Sequence, residues 1–240
     1  MIEVIAFDAD DTLWHNESLY ENAQEKLRKL LVSYESSEQI DARLFKTEMR
    51  NLEYYGYGIK SFILSMIEAA VDISGEQIQG REVREILGYA REMLEAPVEL
   101  LDHVADVIPP LAESHKLMLI TKGDLLDQER KVARSGLGDF FHFVEIVREK
   151  SQMTYTTLLD RHKIQPKGFL MVGNSLRSDV LPVLEVGGQA VYIPYHLTWE
   201  HETVSGEIIA SNPYYELEHI GLLPDLVKRL DERESNVGIV

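Results

Sequence analysis

Two textures of apolar spacing divide the chain. Residues 2–7, Ile-Glu-Val-Ile-Ala-Phe, are short, apolar and partly β-branched, and an acidic cluster ends them. That pattern predicts a buried strand. From about 17 to 95 the apolar positions recur at helical spacing. Leu27, Leu30, Leu31 and Tyr34 follow it, as do Phe62, Ile63, Met66, Ile67 and Ala70, and then Val83, Ile86, Leu87 and Ala90. Breaks at Ser36-Ser37, Gly56-Tyr57-Gly58 and Gly75 predict roughly four helices. After Pro97, short apolar runs return at 117–120, 143–147, 169–172 and 190–193, and helical stretches at 124–135, 152–163 and 177–187 separate them. Strands alternating with helices predict βαβ units and a parallel sheet. Residues 222–230 predict an amphipathic core helix, and 231–240 a polar, frayed tail.

The first strand therefore belongs with the C-terminal half. The expected architecture is a Rossmann-like α/β core of about five parallel strands, formed by residues 1–14 and 98–240. An all-helical domain is inserted at 15–97.

Composition agrees with a globular chain. Of 240 residues, 45% are hydrophobic and 27% charged, which excludes a disordered or collagen-like chain. There is no cysteine. Disulfides, thiol nucleophiles, Cys-ligated zinc and iron–sulfur clusters are thereby excluded. The formal net charge of −17 opposes long-range attraction to nucleic acid or anionic lipid. The first residues, MIEVIAFDADDTLW, carry no basic leader, and no apolar run is long enough to span a bilayer. The expectation is a soluble, cytoplasmic monomer or homodimer with no nucleic-acid or membrane partner.

Ligands in open parallel sheets bind beyond the carboxyl ends of the strands. The first strand ends in Asp8-Ala9-Asp10-Asp11-Thr12 and the second in Thr121-Lys122-Gly123-Asp124. Arg148-Glu149-Lys150 follows the third, and Gly173-Asn174-Ser175 the fourth, with Asp179 five residues after Asn174. Any one of these is ordinary turn or cap chemistry. Together they place carboxylates, a hydroxyl, a lysine and an amide on one rim. Phosphoryl transfer through a carboxylate nucleophile fits that set. A second carboxylate would protonate the leaving oxygen and later deprotonate water. Two anions facing a phosphate call for a lysine and Mg²⁺ to offset their charge.

The motifs resemble those of the haloacid dehalogenase-like (HAD) hydrolase superfamily. Asp8-x-Asp10-x-Thr12 is similar to its first motif, Thr121 to the second, Lys150 to the third, and Gly173-Asn174 with Asp179 to the fourth. The helical insert resembles the cap of subfamily I. The resemblance implies that Asp8 is the nucleophile and a Mg²⁺ ligand. It makes Asp10 the general acid/base, with its backbone carbonyl on the metal. Thr121 and the N–H of Lys122 then bind the phosphoryl group, Lys150 neutralises Asp8, and Asn174 and Asp179 complete the metal shell. An acid at position 10 points to phosphate rather than dehalogenase chemistry. Asn174 stands where most phosphatases of this type carry Asp, which implies weaker Mg²⁺ affinity or a larger share for Asp179.

The implied activity is a Mg²⁺-dependent phosphatase for a small phosphorylated metabolite such as phosphoglycolate, a sugar phosphate or a nucleotide. A phosphomutase, a dehalogenase, or a weakly catalytic phospho-ligand-binding protein are the alternatives. Trp14, His15 and Asn16 either touch substrate or pack the crossing between domains. Lys60, beside Tyr54, Tyr55 and Tyr57, either meets a second anionic group or lies on a helix pair. Arg177 is near the expected metal rim or pairs with surface acids. His196 and His201 are expected to be structural or exposed.

Overall fold

The computed structural model describes residues 1–197, 199–202 and 213–237. It divides into two compact units. One comprises 1–15, 98–121 and 131–240, and the other 16–97 and 122–130.

The first unit is built on a six-stranded sheet of order β3-β2-β1-β4-β5-β6. Its strands are β1 (Val4–Phe7), β2 (Lys116–Lys122), β3 (Phe143–Val147), β4 (Phe169–Gly173), β5 (Gln189–Tyr192) and β6 (Tyr215–Glu216). β1 pairs in parallel with both β2 and β4, β4 with β5, and β5 with β6. Both faces are covered. Ile5 and Phe7 of β1 point into one apolar cluster, Val4 and Ala6 into another. That alternation is the period of a pleated strand. Burial on both faces is why the inner strands read as continuous apolar runs. The sixth strand, β6, has two residues, too few to leave a periodic signal.

The second unit holds four helices: α1 (Glu17–Leu31), α2 (Ser37–Tyr55), α3 (Ile59–Ile73) and α4 (Gly80–Glu95). Leu27, Leu31, Ile40, Leu44, Phe62, Met66 and Ile86 form its separate apolar core. α2 ends at Gly56, which has φ +70°, a conformation that side chains other than glycine resist.

Helix α5 (Val104–Ser114) is absent from the expected elements, because Pro109 and Pro110 lie inside it. Each proline removes a helical N–H and normally breaks a helix interior. Here Val104, Val107, Ile108 and Leu111 are buried along one stripe, and that burial outweighs the lost hydrogen bonds. α6 (Leu125–Ser135), α7 (Gln152–His162), α8 (Leu181–Glu185) and α9 (Leu223–Val237) complete the helices. The helical stretch expected at 177–187 is a π turn (Leu176–Val180) that runs into the short α8. Residues 231–237, expected to fray, continue α9. Residues 238–240 of that tail lie outside the described residues. Among the described residues no helix is long and apolar enough to cross a membrane.

Candidate active site

β1 and β4 are neighbours at the centre of the sheet. Chain direction splits there, and the loops beyond the two strands diverge to leave a crevice. Asp8 follows β1, and its backbone N–H donates to the Val172 carbonyl at 2.9 Å. Asn174 follows β4. The turn after β1 then closes on itself. Leu13 N–H donates to the Ala9 carbonyl at 2.8 Å and Asp11 N–H to the Trp14 carbonyl at 2.7 Å. Asp11 has φ +62°, a region that Asp tolerates better than most residues. This tight turn carries Asp8, Asp10, Thr12 and Trp14 within seven residues.

Asp8 and Asp179 converge on the Lys150 ammonium. Lys150 Nζ donates to Asp8 Oδ1, and to Asp179 Oδ1 at 2.6 Å. Lys150, at the end of the β3 loop, is 3% exposed, so it is not a solvated surface lysine. The other Asp179 oxygen accepts the Ser175 N–H at 3.0 Å. The π turn aims Asp179 inward, and Ser175 caps it through the Ser178 N–H at 3.0 Å. Gly173 is what leaves room. A Cβ there would lie 2.2 Å from Asp179 Oδ2. The Thr12 hydroxyl lies 3.1 Å from Asp8 Oδ2 and 3.2 Å from Asn174 Oδ1, so one hydrogen is shared between two acceptors.

Burial pushes the Asp8 carboxyl up to about 7, with the Lys150 ammonium pulling it down and Asp179 pushing it further up. Burial acts to lower the Lys150 ammonium, but the carboxylates of Asp179 and Asp8 outweigh it and hold it well above its usual range. The cluster thus sets two carboxyl groups against one buried ammonium. Its oxygens are hard donors suited to Mg²⁺. Among the described residues no three His, Asp or Glu side chains gather as a metal cage. A Mg²⁺ ion here would have the Asp8 and Asp179 carboxyl oxygens and the Asn174 amide oxygen as candidate donors. The donor chemistry fits, with a low formal charge.

Asp10 is held separately. It accepts the Trp14 indole N–H at 2.7 Å on Oδ1, and Lys131 Nζ lies 3.0 Å from each of its oxygens. Trp14 is 1% exposed, with its ring packed in the apolar cluster and its indole N–H on Asp10. Thr121 is buried at the penultimate position of β2. His15 Nδ1 pairs with the Tyr195 hydroxyl at 2.7 Å. Asn16 is the residue before α1.

Lys60, Lys122 and Tyr57 lie in the helical unit. Lys60 Nζ pairs with Asp124 at 2.9 Å, and Lys122 Nζ sits 4.5 Å from the Tyr57 ring centroid. Lys60 thus already has an anionic partner. Arg177 donates to the His201 carbonyl at 2.8 Å. The rings of His196 and His201 pack on Tyr195 and Trp199.

Several contributors leave no trace in the sequence pattern. Lys131 is 121 positions from Asp10. Glu202 accepts the Ser175 and Ser178 hydroxyls and so braces the turn that carries Asp179. No spacing rule could join either residue to the strand ends.

The family profile of haloacid dehalogenase-like hydrolases matches residues 2–187. The chain belongs to that family of hydrolases. A haloacid dehalogenase-like family hydrolase from Xanthomonas campestris has the same fold, with a TM-score of 0.87 and 36% identity over 98% of this chain and 94% of that one. The chain is also 24% identical over 231 residues to a glyceraldehyde 3-phosphate phosphatase of Pyrococcus furiosus, covering 88% of this chain and 90% of that protein. The HAD-hydrolase YfnB of Bacillus subtilis, solved bound to magnesium, shares the fold at a TM-score of 0.69 and 16% identity, over 95% of this chain and 99% of that one.

Proposed function

We propose that this hydrolase is a Mg²⁺-dependent phosphatase that acts on a small phosphorylated metabolite through an aspartyl-phosphate on Asp8. The observation that carries this reading is the buried Asp8–Lys150–Asp179 cluster at the centre of the sheet. It holds a carboxyl nucleophile against one cation, beside a second carboxyl group that a metal cation would also meet. The phosphatase relative from Pyrococcus furiosus supports phosphate chemistry on a short substrate.

The reaction proceeds in two halves. An Asp8 oxygen attacks phosphorus. The bond to the leaving oxygen breaks with its electron pair on that oxygen, which takes a proton from the Asp10 carboxyl. Next, the Asp10 carboxylate takes a proton from water as the water oxygen attacks phosphorus. The Asp8–phosphorus bond breaks, its electron pair returns to the carboxylate, and phosphate leaves. Lys150 balances the charge beside Asp8 in both halves. The Thr121 hydroxyl and the N–H of the next residue, Lys122, are assigned to the non-bridging oxygens. Asp8, the Asp10 carbonyl, Asn174 and Asp179 would hold Mg²⁺, which when bound offsets repulsion between Asp8 and the phosphoryl oxygens. We assign choice of substrate to the helical segment 15–97.

The test is phosphate release from an aryl phosphate, with Mg²⁺ and with chelator, for the wild type and Asp8→Asn. Turnover should need both, and Asp8→Asn should lower the rate by roughly 10³-fold or more. Absence of turnover at millimolar Mg²⁺, with triose phosphates, phosphoglycolate, sugar phosphates and nucleoside monophosphates also inert, sinks the reading. Chelator-insensitive halide release would redirect it to dehalogenation.

A further inference from the structure

We propose that Lys131, with the Trp14 indole, is the positioning device for the Asp10 carboxyl in proton transfer. The proposal rests on the phosphatase reading above. An acid that serves a leaving oxygen must hold its carboxyl plane in one orientation, because proton transfer tolerates only hydrogen-bond distances. A short side chain at the tip of a tight turn has two free torsions and no such constraint of its own. Here the constraint comes from outside the turn. Lys131 Nζ stands 3.0 Å from Oδ1 and 3.0 Å from Oδ2, so one ammonium bridges both oxygens of the carboxyl group. The indole N–H of Trp14, at 2.7 Å from Oδ1, restrains the group from a second direction.

Burial makes the arrangement specific. The Lys131 and Asp10 side chains are 12% and 21% exposed, so the ammonium is largely taken out of water. A surface ion pair contributes little, and a lysine rarely surrenders its hydration without a defined partner. Trp14 cannot swing away, since its ring is embedded in the apolar cluster that contains Phe7 and Leu13. The turn itself brings Trp14 back beside Asp10, where the two backbones meet in an isolated bridge. Lys131 and Trp14 are positioning residues, and neither is placed in contact with a reacting atom.

Leaving-group dependence separates this role from a structural one. Departure of 2,4-dinitrophenolate needs no proton, whereas departure of phenolate from phenyl phosphate draws on the acid. kcat/KM reports the first half of the reaction for both substrates. In Lys131→Met the loss on phenyl phosphate should exceed the loss on 2,4-dinitrophenyl phosphate by about 10- to 100-fold. Lys131→Arg, whose fork also reaches two oxygens, should recover most of the difference. Trp14→Phe keeps the ring and removes the N–H, and should shift the ratio the same way by about threefold to tenfold. Equal losses on the two substrates, or an unchanged ratio in folded variants of both positions, overturn the proposal. Wild-type turnover of 2,4-dinitrophenyl phosphate that vanishes in Asp8→Asn reports separately on the phosphatase reading. If the wild type cleaves neither aryl ester nor any ester of the metabolite panel, both fall together.

Discussion

The α/β unit and the helical unit each bury carboxyl groups, but in opposite company. Asp8 and Asp179 sit in the α/β unit with a lysine between them. Glu48 sits in α2 of the helical unit, where burial pushes its carboxyl up to about 8 and the Glu17 carboxylate pushes it further. Desolvation opposes the charged form in both places. In the α/β unit the Lys150 ammonium offsets part of that cost, although burial still raises the Asp8 carboxyl to about 7. In the helical unit the charge acting on Glu48 is the Glu17 carboxylate, which adds to the rise. Burial alone therefore does not mark a reactive carboxylate. The partner does.

Removing the cation should break the contrast most severely. Lys150→Met leaves two buried carboxylates facing one another. Breaking a buried pair by deleting one partner costs about 3–5 kcal/mol, and activity should fall by about 10³-fold or more. Urea denaturation and initial rates measure the two effects. A stability change under about 1 kcal/mol would mean that the cluster is far more hydrated than its burial indicates.

A second break acts through shape. Gly173→Ala keeps every charge but drives a methyl group to 2.2 Å from Asp179 Oδ2. Asp179 must leave Lys150, or β4 must shift. Overpacking of this kind costs about 3 kcal/mol, and the rate should fall with it. Normal activity with normal stability in Gly173→Ala would show that the strand end yields easily.

These residues differ in how far the sequence exposes them. Asp8 and Asn174 stand at the ends of apolar runs, because a strand covered on both faces must end where polar side chains begin, and Lys150 comes three residues after a third run. Gly173 reads as turn chemistry, and its steric reason appears only with Asp179 folded beneath it. Lys131 and Glu202 have no local signal at all. Lys131 is an ordinary helix residue until α6 docks beside the turn after β1. α5 is hidden by Pro109 and Pro110, although its four buried residues keep helical spacing. What the chain writes locally is where strands stop. What it does not write is which distant side chain meets which strand end, since that depends on packing across the sheet.

The mildest change sharpens the comparison from the other side. Glu48→Gln replaces a carboxyl that burial pushes up by a neutral group of the same shape. The folded carboxyl titrates near 8 and the unfolded one near its ordinary value of 4.5. Between those two pH values the folded state binds more protons than the unfolded state, so wild-type stability falls as pH rises. Below about pH 4 the two proteins should be equally stable, because the carboxyl is protonated in both states. Above pH 8 the variant should be the more stable of the two, because only the wild type then carries a charge that burial opposes. Thermal melts at pH 4, 7 and 9 measure this difference. A variant that is less stable at pH 9 would mean that Glu48 is charged and answered by a cation, and the two units would then bury their carboxylates by the same rule. A gain that grows from pH 4 to pH 9 would show an acid in the helical unit that is tolerated only while it holds its proton.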